Sequence, residues 1–408
     1  MAGLLTSAPA VRVPIVIAVL TAGTFLMGTT EFVVAGLLPE LASAFGTSVA
    51  QAGLSITAFA VGMIVGPPVM ALLTLRLPRR LTLALALLVF AVGHVAVALT
   101  GSFAVLLAAR FVTAVATGAF WATASVVASK AAGPAASSRA LGIVLGGGML
   151  ANVIGVPLGA FAGQAIGWRG PFWMLAALAV GAAGAVIRFV PHDVRGGAVP
   201  TMRSEFRSLR SGRLWLTLLT CAGITGGVLS IYSFISPMLT DRSGLSSWMV
   251  PIALMLFGAA ALAGSILGGR LGGRHPFGIP LSFGAVTLLV SGGLLAVPAP
   301  VPTLVLFTLL GLVGLSANPV LVSLIVRRRR CEHAAQLDVA LDVQPRHGGG
   351  HRDHGSGAAV PARSIRAAPR RNRVRCTRVR SARDARDRRT SQRSPRHGRP
   401  ARGRGDDR

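Results

Sequence analysis

Long apolar stretches alternate along the chain with short polar breaks. Each stretch runs for roughly 18–25 residues, the length at which a helix crosses the hydrocarbon core of a bilayer. Ten such spans are predicted, at about 13–36, 50–75, 81–99, 103–128, 138–166, 171–190, 214–236, 249–269, 278–297 and 303–326. The breaks between them are rich in glycine, proline and arginine. The opening segment MAGLLTSAPAVR leads into a span too long for a cleaved signal peptide, so it reads as a retained first helix.

Basic residues sort onto alternate breaks. With the N-terminus inside, the cytoplasmic breaks collect Arg76, Arg79 and Arg80, then Lys130 and Arg139. Arg195, Arg203, Arg207, Arg210 and Arg213 follow, then Arg270 and Arg274, whereas the outer breaks offer only Arg169 and Arg242. By the positive-inside rule the N-terminus is cytoplasmic. The most basic break divides six helices from four. The predicted organisation is an N-terminal bundle at 1–190, a basic central loop at 191–213, a second bundle of four helices at 214–326, and a tail at 327–408. A six-helix half followed by a shorter one fits a transporter of two similar halves that rock about a central site.

Composition agrees with a membrane protein. Only 13% of the 408 residues are charged and 52% are hydrophobic, against about 25% charged in soluble proteins. The net charge of +28 suggests a nucleic-acid binder until it is divided. Residues 1–326 carry 17 Lys and Arg against 5 acids; residues 327–408 carry 24 Arg against 8 acids. The three cysteines, Cys221, Cys331 and Cys376, have no metal or redox spacing. No nucleophile–base set or metal-ligand pattern stands out, so neither an enzyme nor a resident cofactor is expected.

One acid falls inside an apolar span. Glu31 lies in the outer half of the first, while Glu40, Asp193, Glu205 and Asp241 fall between spans. A carboxyl group at membrane depth is costly, and where one occurs it faces a cavity or a partner and does work. Glu31 is therefore the candidate proton site of a transporter. In the fifth span Gly147, Ala151, Gly155 and Gly159 recur every four residues and line one helix face. Small residues there let a neighbouring helix approach, and ordinary packing accounts for the spacing equally well. Pro157 removes a backbone hydrogen bond and bends that helix. Candidate cavity residues are Phe25, Phe32, Phe120, Trp121, Asn152 and Asn318, with Tyr232, the only tyrosine, ranked low among them. His94 reads as a packing residue.

Several of these stretches, in this order, resemble the drug:proton antiporters of the major facilitator superfamily. GVPLG (Gly155–Gly159) and GQAIGWRGPFW (Gly163–Trp173) resemble their antiporter motif, and GTTEFVVAGLLPELASAF (Gly28–Phe45) their first helix and loop. GPPVMALLTLRLPRR (Gly66–Arg80) resembles the cytoplasmic gating loop, and ARFVTAVATGAFWA (Ala109–Ala122) the fourth-helix motif built around an arginine. YSFISPML (Tyr232–Leu239) and LFGAAALAGSILGGRLGGR (Leu256–Arg274) resemble the start of the second half. Within the family the similarity is greatest to the chloramphenicol resistance proteins of high-GC bacteria, and sugar exporters share most of these motifs.

The resemblance implies an all-α, multi-pass major facilitator fold in the bacterial plasma membrane. It implies export of a small, largely apolar drug, driven by a proton gradient, by a monomer without a nucleic-acid partner. It assigns Gly147, Gly155, Pro157 and Gly159 to the antiporter motif and Gly66, Arg76, Arg79 and Arg80 to the gating loop. Arg110 then falls at the depth of Glu31, each about seven residues or roughly 10 Å from the outer end of its helix. In that fold the first and fourth helices both line the cavity, so the two side chains are expected to face each other, either as a tuned proton site or as a static staple. Family members often carry an acid where this chain has Thr74 and Gly273, which leaves an ion-pair latch between the halves unsupported.

After Val326 the apolar pattern stops. The tail is rich in Arg, Pro, Gly and His and has no aromatic residue to stack on bases. Such a composition cannot bury a core and is expected to be disordered and cytoplasmic. Taken at face value it is a basic arm for nucleic acid or anionic lipid, which would make the chain a membrane-anchored nucleic-acid-binding protein. A frameshift is the preferred reading. Forty arginines against one lysine indicate a GC-rich gene, and such a gene read out of frame yields Arg, Pro, Gly, Ala and His. Shifting the frame at Arg346–His354 by one nucleotide permits Gly-Thr-Ala-Val-Gly-Thr-x-Thr-Thr, similar to the family's eleventh helix. On this reading the last two helices are lost and the chain as given transports poorly.

Overall fold

The first two helices begin where the apolar pattern does, and the pattern holds through ten. The structure, a computed structural model, describes residues 12–73, 77–191, 212–272 and 278–321. Among these, ten helices are long and apolar enough to cross a membrane. They are α1 (Val13–Gly36), α2 (Val49–Val69), α3 (Arg79–Leu99), α4 (Phe103–Gly133) and α5 (Ala135–Ile166), followed by α6 (Gly170–Phe189), α7 (Trp215–Ser233), α8 (Met249–Leu271), α9 (Gly278–Ala296) and α10 (Pro300–Leu321). All regular structure among the described residues is helical. The central loop for the most part, Arg76, Arg274 and the tail lie outside the described residues.

The junction of α4 and α5 differs from the sequence expectation. The sequence pattern predicts a polar break between 128 and 138, but helical structure runs through it with one non-helical residue, Gly133, at φ 72° and ψ 173°. Proline disfavours the α region for the residue before it, and glycine adopts positive φ without steric penalty. Gly133 before Pro134 therefore turns the chain in one step. The hydroxyls of Ser129 and Ser137 meet across the turn.

Within α5 a π-turn spans Ala151–Gly155, immediately ahead of Pro157. Proline has no N–H to give the carbonyl four residues back, so the hydrogen-bond ladder changes register there. Short elements close the ends of other helices. A helix at Leu38–Phe45 follows α1, stopped by Gly46 at φ 61°. Ser48 and Gln51 form a capping box at the start of α2.

Glycine sets the spacing of the first bundle. A Cβ on Gly66 would lie 2.9 Å from the Val115 carbonyl oxygen, and one on Gly118 would lie 2.9 Å from Pro67 Cδ. Helices α2 and α4 are thus in backbone contact. Gly147, Gly155 and Gly159 on α5 face Thr24, Thr29 and Val33 of α1, and Gly163 faces Leu37 just beyond its end. The small-residue face of α5 is the seat of α1, which brings the segment around Glu31 against the π-turn.

The two halves, α1–α6 and α7–α10, share one apolar cluster. Ala35 of α1 and Val156 and Ala160 of α5 pack with Tyr232, Phe257 and Phe307 of the second half. Gly258 of α8 lies against the backbone of Asn152 and Val153. Gln164 Nε2 donates to the Ser247 carbonyl at 2.7 Å. Large side chains remain bare elsewhere: Ile64, Leu281, Leu288 and Leu289 are 75–77% exposed. Such a surface suits hydrocarbon, into which apolar side chains pass without penalty.

Candidate functional site

Glu31 opens onto a cavity of about 240 Å³ between α1, α2 and α7. Phe32, Ile56, Phe59, Met63 and Tyr232 form most of its wall. The wall is apolar and partly aromatic, with the carboxyl of Glu31 as its one acidic group. Among the described residues Glu31 makes no hydrogen bond and no ion pair.

Arg110 makes its hydrogen bonds beside Glu31 and not to it. Nη1 donates to the Thr30 carbonyl at 3.0 Å and to Thr30 Oγ1 at 3.1 Å. Nε points at the Ser55 carbonyl, 3.5 Å away, and the guanidinium lies over the Phe59 ring, 4.2 Å from its centroid. Nη2 is buried without a partner. The reason is helical geometry. Successive residues of a helix diverge by about 100°, so Thr30 turns inward while Glu31 turns to the cavity. The matched depth of Arg110 and the Thr30–Glu31 pair is real, and the charges of Arg110 and Glu31 still interact. A guanidinium only 1% exposed is tolerable here because two carbonyls, a hydroxyl and an aromatic face replace its water.

His94 extends this network. Its Nδ1 lies 2.7 Å from the Phe90 carbonyl, and its Nε2 lies 2.7 Å from Thr30 Oγ1. A carbonyl only accepts and a guanidinium only donates. The arrangement that gives the His94 and Thr30 hydrogens their acceptors is therefore a neutral imidazole with its proton on Nδ1. Thr30 then donates to Nε2 and accepts from Arg110. The Phe90 ring is 4.0 Å from the imidazole and Phe172 5.9 Å, so the ring of His94 is held on both its edges and its face.

The remaining sequence candidates divide. Phe32 and Tyr232 line the cavity with Glu31. Tyr232, ranked low from sequence, is central: its ring meets Phe32 edge-on at 5.5 Å, Phe257 at 4.9 Å and Phe307 at 6.2 Å. Phe120 is fully buried in the core of the first half and presses on Gly23. Trp121 packs on Gly148, its Nε1 buried without a partner. Phe25 lies at Gly155. These three belong to the packing of α1, α4 and α5 instead of the cavity wall. Asn152 sits in the π-turn beside α8. Asn318 Oδ1 accepts from Thr225 Oγ1 at 3.0 Å, away from Glu31. Of the gating loop, Gly66 packs on α4, Arg79 opens α3 with Nη1 buried and unpartnered, and Arg80 lies in its first turn.

Sequence reasoning missed Thr30, Ser55 and Phe59, and gave His94 no role beyond packing. A signal was available in depth. Thr30, Ser55, His94 and Arg110 each lie about five to seven residues from the same end of their helices, so they share one level of the bundle.

Known proteins share this architecture. A chloramphenicol resistance protein of Streptomyces lividans is 38% identical over 290 residues, covering 70% of this chain and 72% of its own. The inner membrane transport protein YdhP of Escherichia coli (strain K12) is 33% identical over 279 residues, 68% of this chain and 71% of its own. A bacterial homologue of the human lysosomal transporter Spinster, solved inward-facing and occupied, superposes with a TM-score of 0.66 at 20% identity, over 75% of this chain and 72% of its own. A D-xylose-proton symporter does so with 0.60 at 15% identity, over 76% and 82%. The sequence profile of the Major Facilitator Superfamily matches residues 20–336. With ten membrane helices among the described residues, in two halves around a cavity, the chain belongs to the Major Facilitator Superfamily.

Proposed function

We propose that the chain exports a small, largely apolar drug of the chloramphenicol type across the bacterial plasma membrane in exchange for protons. The observation that carries this reading is the Glu31 carboxyl, which is open to an aromatic cavity with no hydrogen bond or ion pair of its own. A carboxyl so placed is poised to take and release a proton as the cavity fills and empties. The cavity's apolar wall suits a largely apolar solute, and the Streptomyces lividans relative supports chloramphenicol as the first compound to test. The protein works as a monomer with its N-terminus in the cytoplasm, by the arginine bias of its breaks.

Glu31 carries the coupling proton and Arg110, held one residue away, tunes it. The test is drug accumulation in cells expressing the chain while the external pH is stepped. Glu31→Gln is expected to abolish pH-driven efflux while leaving drug binding in place. Accumulation that responds to pH equally with and without the carboxyl rules the role out. A panel of drugs and sugars in the same cells identifies the substrate class.

A further inference from the structure

One buried group beside the cavity has no partner to explain it. Tyr232 is 2% exposed, and its hydroxyl makes no hydrogen bond. Three aromatic rings fix its orientation, from α1, α8 and α10. Phenylalanine would fill the same space without burying an unsatisfied hydroxyl, which is costly. A hydroxyl kept in such a place serves a partner that it meets in another state of the molecule.

The candidates for that partner are few. Tyr232 and Glu31 line the same cavity from opposite halves of the molecule, and their neighbours there from α2 are apolar. The Glu31 carboxyl is itself without a hydrogen bond, on the cavity wall that Tyr232 shares. The other titratable groups on this side of α1 are Arg110, committed by Nη1 to Thr30, and His94, committed at both nitrogens. Phe32 follows Glu31 in the chain and already touches the Tyr232 ring. The hydroxyl and the carboxyl therefore flank one aromatic contact between the halves.

We propose that Tyr232 is the second-half partner of Glu31: when the carboxyl gives up its proton, the Tyr232 hydroxyl donates a hydrogen bond to the carboxylate and ties α7 to α1. When the carboxyl is protonated the tie slackens, because a donor binds a carboxylate more strongly than a neutral acid. The one bond that breaks is the carboxyl O–H, whose proton passes to water through the cavity. Proton occupancy of Glu31 then sets how firmly the two halves cohere beside the cavity. The proposal rests on the reading of Glu31 as the proton site.

The test uses the full 408-residue chain, purified in detergent. Dicyclohexylcarbodiimide, an apolar reagent, modifies protonated carboxyls in apolar surroundings. Mass spectrometry of the peptide bearing Glu31 gives the modified fraction from about pH 5 to about pH 9. In the wild-type chain labelling is expected to fall as pH rises, and Glu31→Gln is expected to leave the peptide unlabelled. Tyr232→Phe is expected to carry the fall about one pH unit higher, since the carboxylate has lost a donor. This variant deletes an unpartnered buried hydroxyl and should fold at least as well as the parent. Coincident midpoints in Tyr232→Phe and wild type overturn the role of the tyrosine while leaving Glu31 as the proton site. Labelling that does not vary with pH in the wild-type chain overturns the proton site, and the tie with it.

Discussion

His94 on α3 and Thr30 on α1 meet at 2.7 Å, imidazole Nε2 against hydroxyl Oγ1, and the same hydroxyl receives Arg110 from α4 at 3.1 Å. Three helices are thus joined at one oxygen, one residue from Glu31. Thr30→Val keeps the shape and removes that oxygen. It is expected to cost about 1–3 kcal/mol, because an imidazole nitrogen and a guanidinium hydrogen are left without partners. His94→Leu should cost a similar amount, and Thr30→Ser little. The double substitution should cost less than the sum, as both delete one network. Thermal unfolding of the four variants in detergent measures this; additive losses would show that the residues act separately.

Arg110 offers a second measurement. Arg110→Ala is expected to shift the pH profile of drug export as well as slow it. Arg110→Lys should recover the rate only in part, because an ammonium lacks the fork that reaches Thr30 and Ser55 together. An unaltered profile in both variants would reduce Arg110 to packing.

The contact of α8 with the π-turn of α5 is between backbones. A side chain on Gly258 would strike the main chain of Asn152 and Val153. Gly258→Val is expected to lose about 1–3 kcal/mol and to depress export, as overpacking forces the helices apart. On α9, a methyl group added to Gly292 would meet nothing within 4 Å, so Gly292→Ala should be neutral or slightly stabilising through helix propensity. Equal unfolding temperatures for the two variants would refute the close approach.

Glu40 lies outside the membrane helices, in the first turn of the helix at Leu38–Phe45. Its Oε2 is buried without a partner. Burial raises its pKa above the ordinary 4.5, opposed by a hydrogen bond from its own backbone N–H. The folded chain therefore holds this proton more tightly than the unfolded one. The stability it contributes is whole below the ordinary value of 4.5 and is lost as pH rises through the raised one. Glu40→Gln is expected to melt at a higher temperature than wild type at about pH 8, and at nearly the same temperature below about pH 4. A constant difference across that range would exclude the ionisation of Glu40 as its source.

The frameshift proposal makes a genetic prediction. A single-nucleotide correction near codon 327 is expected to extend the apolar pattern by two spans and to raise export. Resistance of a drug-sensitive host, with both versions at matched levels, is the measurement. Equal resistance from the uncorrected gene would make the basic tail a working part of the protein.

The ten helices are legible in the sequence because span length and apolar run are properties of single stretches. The turn at Gly133 is less so, since a Gly-Pro pair reads equally as a loop or as a one-residue kink. Glu31 stands out by being the one acid in an apolar span. Its surroundings do not, because they are assembled from helices far apart in sequence: Thr30 and His94 are separated by 64 positions and Thr30 and Arg110 by 80. Depth along each helix is readable, but rotation about its axis is not. That is why the sequence puts Arg110 at the right level but does not reveal that its hydrogen bonds go to Thr30 and Ser55. Tyr232 is undervalued for a related reason: its weight comes from Phe32, Phe257 and Phe307, which periodicity alone does not bring together.

Tyr232 is the only tyrosine in the chain, and it stands where the two halves meet beside Glu31. Growth on tyrosine labelled at the ring carbon that bears the hydroxyl therefore yields a protein with a single isotopic signal, at the cavity wall, without any substitution. Changes in that one resonance as drug or acid is added report on the boundary between the halves directly. The protein carries its own spectroscopic probe at the position where one is most useful.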